Sequence, residues 1–252
     1  MRLRFEQIGI DLKAGLDVLL CQNRRACGDA ADEDALEGLR AIAAHDEDLT
    51  KRLTAFVTES ETVIPQAIKE RHVGAFAFDG YWEDVGTIRS FYDANMALTS
   101  SLPEFNFYDI QMPVYTHPRN LPGSKLNNCD VHQSIIAEGC ILNGADIRHS
   151  IIGVRSRVGG GTTIKHSIIM GADRYETVEQ IKDNRKNKIS DIGVGDHCTI
   201  INAIVDKDVR IGDNVSIINA HNLQEKDGEN YYIRDGIIII PKHSFVPNGT
   251  VI

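Results

Sequence analysis

Aromatic residues make up only 6% of the 252-residue chain, with a single tryptophan, so the large aromatic core of many globular enzymes is excluded. Isoleucine and glycine (21 of the latter) are frequent instead, which leans toward repetitive β-structure with many turns. Positive charge is also short. The net charge of −9 argues against a general nucleic-acid binder, which needs a basic face to neutralise phosphates. It leaves room for a small local cationic pocket. No apolar run approaches the roughly 20 residues that a membrane span requires. The five cysteines (Cys21, Cys27, Cys129, Cys140, Cys198) form no CxxC pair. Their odd number and the lack of a secretory leader pattern predict reduced thiols and a cytoplasmic protein. Cys140 and Cys198 sit in β-patterned segments and are expected to be small buried hydrophobes.

Four regions separate along the chain. Residues 1–57 are helical in flavour, with Ile8, Leu12, Leu16 and Leu19 near helical spacing and the acidic run Asp29–Asp34 reading as a solvated helix start. Residues 58–100 mix types. Thr62–Glu70 reads as a short helix, Gly74–Phe78 as a strand, and Thr87–Ser100 as a helix capped by Thr87 with Ile88, Phe91, Tyr92, Asn95 and Leu98 on one face. Residues 101–124 carry four prolines and read as an extended linker.

From 125 onward the rhythm changes. Aliphatics recur at Ile135, Ile141, Ile147, Ile152, Val158, Ile164 and Ile169, and again at Val194, Ile200, Val205, Ile211 and Ile217, always five or six residues apart. A helix would give 3.6 and a half-buried strand 2. A step near six is one short strand plus one turn, as in a parallel β-helix of hexapeptide coils. Gly139, Asn143, Gly153, Gly159, Gly195 and Gly212 fall between the aliphatics and are expected at corners requiring positive φ. The polar stretch 173–192 reads as a loop thrown out of one coil. Ile237–Ile240 reads as a final coil closed by Phe245 and Val251.

The segment Gly80-Tyr81-Trp82-Glu83-Asp84-Val85-Gly86-Thr87 resembles the end of the catalytic domain of ADP-glucose pyrophosphorylases, the glucose-1-phosphate adenylyltransferases. The likeness runs on through Pro118-Arg119-Asn120-Leu121-Pro122, Arg155-Ser156-Arg157, Met170-Gly171-Ala172-Asp173, Asp206-Lys207, Lys242 and Gly249-Thr250-Val251-Ile252. It covers about 63–252, in the style of the plant and cyanobacterial branch. The resemblance implies a mainly β protein. In it a left-handed parallel β-helix over 125–252 follows a small α/β remnant of a nucleotidyltransferase domain over 58–100.

That family opens with a doubly wound nucleotide-binding domain carrying a glycine-rich GGGxGTRL-like loop and a later sugar-phosphate lysine. Neither occurs here, and no glycine-rich phosphate loop lies in 1–60. The resemblance therefore implies ADP-glucose synthesis for glycogen or starch as the family activity, with little or no turnover expected of this chain alone. By the same resemblance Asp84 is one of two carboxylates holding Mg²⁺, and Trp82 walls the sugar site. Trp82 also has a plain reading as a core residue, and Asp84 as a helix N-terminal charge. The positions matching the family's anion-binding residues are Arg119 with neighbouring His117, Lys207 and Lys242, which implies a phosphorylated effector. Oligomerisation through the β-helix, with like chains or full-length pyrophosphorylase, is the expected partnership. A non-catalytic regulatory or assembly subunit is a second reading. A hexapeptide acyltransferase using His149, His166 or His197 as base is a third.

Overall fold

A computed structural model describes residues 80–111, 113–114 and 118–252. The helices expected within 1–57 and 62–70, and the strand expected at 74–78, lie outside the described residues. Among the described residues no helix is long and apolar enough to cross a membrane.

From Lys125 the chain winds in three-sided coils whose short strands stack into three parallel sheets. The first side stacks Lys125–Asn127, Ile141–Asn143, Arg157–Val158, Gly193–Val194, Arg210–Ile211 and Phe245–Val246. The second runs from Asp130–His132 to Ser216–Ile217, and the third from Ile135–Ile136 to Ile237–Ile240. One residue per strand points inward. Leu142, Val158, Val194, Ile211 and Val246 form the first inward column, Ile147, Ile164, Ile200 and Ile217 the second, and Ile152, Ile169, Val205 and Ile240 the third. All are buried and form one apolar core with Cys140 and Cys198, as expected for those thiols. A coil cannot bury these side chains alone, so each depends on the coils beside it.

The inward phase differs from the spacing by one residue at the start. Ile136 and Leu142, not Ile135 and Ile141, align with the inward columns. Both lie in apolar doublets, whose two members hydrophobicity cannot tell apart. The doublets have their own cause. Along the third side Ile135-Ile136, Ile151-Ile152, Ile168-Ile169, Ile204-Val205 and Ile239-Ile240 repeat one pattern, and from Ile151 onward this side is covered on its outer face as well as its inner one. Its outer column takes helix α1, Ile88–Ala97. There Ile88 and Tyr92 pack on Ile168, Ile204, Ile237 and Ile239. Thr87 caps α1 as expected, in a reciprocal box with Ser90. The Tyr92 hydroxyl donates to the His166 carbonyl at 2.6 Å and Arg89 donates to the Asp235 carbonyl at 2.6 Å. The chain that precedes the β-helix is thus fastened to its flank.

Corner chemistry also departs from expectation. Between the second and third sides the left-handed residues are Gln133, His149, His166, Asn202 and Asn219, with φ between 43° and 52°. Of the glycines expected there, only Gly139 has positive φ. The others serve clearance. A Cβ on Gly195 would sit 2.5 Å from Asp213 Oδ1 and 2.6 Å from the Gly212 carbonyl. The space is needed because Asp213 reaches back to accept from the Asp196 N–H at 2.8 Å, as Asp196 does from Gly160 and Asn248 from Asp213.

Two excursions interrupt the winding. The stretch 173–192 is not a plain loop, since it contains helix α2, Val178–Lys186, capped reciprocally by Thr177 and Gln180. Nothing on α2 is buried, so it has no apolar stripe to reveal it. The second excursion is a hairpin. Glu225–Asp227 and Tyr232–Arg234 run antiparallel before Ile237–Ile240 rejoins the third side. At the end Val246 is buried while Phe245 is 37% exposed, and Ile252 packs on the core while Val251 is 68% exposed. The closing residues are again one position later than expected.

Candidate functional site

Register brings the two predicted lysines together. Val205 and Ile240 are partners on the third side, so counting outward places Lys207 over Lys242 and Asp208 over His243 at the following corner. The His243 N–H donates to the Lys207 carbonyl at 3.1 Å, as that stacking requires. Asp208 and His243 both take the left-handed conformation, with φ of 58° and 62°.

One carboxylate occupies the corner with them. Gly171, at φ 88°, approaches the Val154 carbonyl so closely that no Cβ fits, and there the chain leaves the coil. Asp173 follows, fixed by its N–H donating to Asp208 Oδ1 at 2.9 Å. Its Oδ2 accepts from Lys242 Nζ at 2.6 Å and its Oδ1 lies 3.2 Å from Lys207 Nζ. The hydrogen bond from Lys242, with the Lys207 ammonium beside it, holds the Asp173 carboxyl down at about 2. Asp173 in turn raises Lys242 above the ordinary lysine range.

Beneath the pair lies a buried acid. Asp206 is 4% exposed, and its Oδ1 accepts from the Lys207 N–H at 2.6 Å. Its Oδ2 has no partner among the described residues. Burial pushes its carboxyl above the usual range, against the pull of the Lys207 N–H and the two ammonium groups. A cavity of about 10 Å³, lined by Asp206, Arg155 and Gly171 among others, adjoins it and has room for one water.

The stretch 173–192 is anchored just beyond. Tyr175 donates to the Gly139 carbonyl at 2.8 Å. Glu176, with a side chain 3% exposed, accepts from the Ile192 N–H and from Asn184, and pairs with Arg210 at 2.7 Å. Burial works against that charge, but these donors outweigh it and hold the carboxyl below its usual range.

The remaining predicted residues are not gathered here. Arg119 is exposed and makes no hydrogen bond or ion pair among the described residues. His117 lies outside them. Asp84 is exposed, and its Oδ1 accepts from the Gly86 N–H at 3.1 Å, closing a turn just before α1 rather than sitting on the helix itself. No group of three or more potential metal ligands occurs among the described residues, so Asp84 alone does not make a Mg²⁺ site. Trp82 is 65% exposed, and no core forms around it among the described residues. His149 and His166 stack ring on ring at 5.1 Å and 4° as corner residues, and His197 occupies another left-handed corner.

Sequence reasoning missed Asp173, Asp206, Asp208 and His243 as members of the lysine corner. A signal existed: the inward register that pairs Val205 with Ile240 also superposes Lys207 on Lys242.

Residues 119–251 match the family described as the GLGC left-handed parallel beta-helix domain. The chain belongs to the ADP-glucose pyrophosphorylase-like family. A second match, to the nucleotidyl transferase family, covers 41–101. It therefore contains α1 and Asp84, and it begins inside the 1–57 stretch rather than after it. In this ADP-glucose pyrophosphorylase-like chain the lysine corner lies wholly within the β-helix match, whereas Trp82 and Asp84 fall in the nucleotidyltransferase match.

Proposed function

We propose that this chain is the regulatory and assembly half of an ADP-glucose-forming enzyme of glycogen or starch synthesis, and that its lysine corner binds a phosphorylated effector. The observation that carries the reading is the stacking of Lys207 and Lys242 on successive coils, both already holding an anion. Ammonium groups at that spacing suit phosphate oxygens as point charges, and Arg119 adds a planar donor if the linker folds over. Adenylyl transfer needs a phosphate-cradling loop, and the sequence contains none. The chain by itself then shows no turnover, and it acts by pairing through the β-helix with a full-length pyrophosphorylase. Asp84 contributes one of the two Mg²⁺ carboxylates in such a complex, the second coming from elsewhere.

Calorimetric titration with inorganic phosphate tests the corner. Binding that disappears in Lys207→Met and Lys242→Met supports it, and equal heats from wild type and both variants sink it. A coupled pyrophosphate assay tests the rest. Turnover by the chain alone at the level of a full-length enzyme contradicts the regulatory reading.

A further inference from the structure

Asp173 stands where an incoming anion would have to sit, and this is not an incidental surface pair. One carboxylate uses its two oxygens on two different lysines from two different coils. Its backbone is pinned by Asp208, so the side chain is delivered to that spot by the fold. Resting on the reading of this corner as an anion site, we propose that Asp173 is a built-in competing anion that restricts the site to dianions such as phosphomonoesters.

Lys207 and Lys242 face Asp173, with Asp206 beneath them and Asp208, paired with His243 at 3.8 Å, beside them, so the two ammonium groups are already matched by carboxylates and leave no surplus positive charge for a free anion. A ligand must displace Asp173 to reach the lysines. A monoanion that does so exchanges one negative charge for another and gains nothing. A dianion places a second charge between the same two ammonium groups and gains by the exchange. Protonation cannot unlock the corner, since the carboxyl titrates only at about 2. Displacement is nonetheless feasible. The Asp173 side chain is 44% exposed and those of the lysines 28% and 31%, and contacts of that kind are weak and screened. The stretch that follows Asp173 is anchored separately by Tyr175 and Glu176, so the aspartate can swing aside without freeing the excursion.

The test is calorimetry on the full chain with glycerol phosphate at pH 8 and pH 5 and with acetate, using wild type and Asp173→Asn. The asparagine is isosteric and keeps the backbone bond to Asp208, and matching melting curves establish that it folds. Wild type is expected to bind glycerol phosphate at pH 8 and to lose about tenfold at pH 5, where the ester is mostly monoanionic. It should not bind acetate. Asp173→Asn is expected to bind about three- to tenfold tighter at pH 8, to retain binding at pH 5 and to take up acetate. If wild type binds and Asp173→Asn binds no tighter and stays blind to acetate, the competing-anion role is overturned while the anion site stands. If neither protein binds glycerol phosphate, the anion site itself is overturned, and this inference with it.

Discussion

Buried Asp206 shows how much one side chain at the corner is asked to carry. It holds the Lys207 N–H with one oxygen and leaves the other without a partner among the described residues. Because burial raises its folded pKa above the unfolded 3.8, the folded state prefers the proton more than the unfolded state does. The resulting penalty is absent below the unfolded value and grows as pH rises through the folded one. Asp206→Asn should therefore raise the neutral-pH melting temperature by a few degrees, with the gain fading toward pH 4 in a series of thermal melts. Gly195 makes the opposite demand. Alanine there would press on the Gly212 carbonyl and on the Asp213 side chain that reaches back across the coil. Gly195→Ala should cost about 1–3 kcal/mol in urea titration.

At the scale of elements, the α2 excursion depends on Glu176. Its carboxylate gathers the Ile192 N–H, Asn184 and Arg210 at the point where the chain returns to the coil. Glu176→Ala leaves Arg210, with a side chain only 22% exposed, without its counter-charge and should destabilise the protein by about 3 kcal/mol. It should also speed limited proteolysis within 177–190. The Glu176 carboxyl is held below its ordinary 4.5 in the folded state, so its contribution is complete above that value and is lost as pH falls through the lower folded pKa. The sequence announced the coils by spacing, and Thr87 announced α1. It announced α2 only through Thr177-x-x-Gln180, because a helix with no buried face leaves no apolar period. Asp173 was legible as part of a family motif but not as a partner of two lysines, since that contact joins positions 34 and 69 residues apart and follows from register alone.

For the whole molecule, stability rests on three inward columns in which each side chain touches mainly the coil above and the coil below. Removing volume in the middle breaks contacts on both sides. Ile200→Ala, at a fully buried position in a central coil, should cost about 2–5 kcal/mol in denaturant unfolding. The β-helix was readable from sequence because its period repeats, and the one-residue phase errors at Ile135, Ile141, Phe245 and Val251 share one root. At each of them an apolar neighbour offers the same hydrophobicity to the opposite face. Along the third side that ambiguity has a use, for the outward members of the doublets, Ile168, Ile204 and Ile239, are the seat of α1.

The regular winding also bears on how the chain acquires its shape. Ile141 pairs with Arg157, sixteen residues on, and Thr199 with Ser216, seventeen on, so most pairings close loops of one coil. Val158 must find Val194, thirty-six residues on, and Ile211 must find Val246, thirty-five on. Closing a longer loop before its contacts form carries a larger entropic cost. Folding should then spread quickly from coil to coil and pause twice, at the α2 excursion and at the hairpin. Shortening either one speeds the approach to the native state more than any change within a coil.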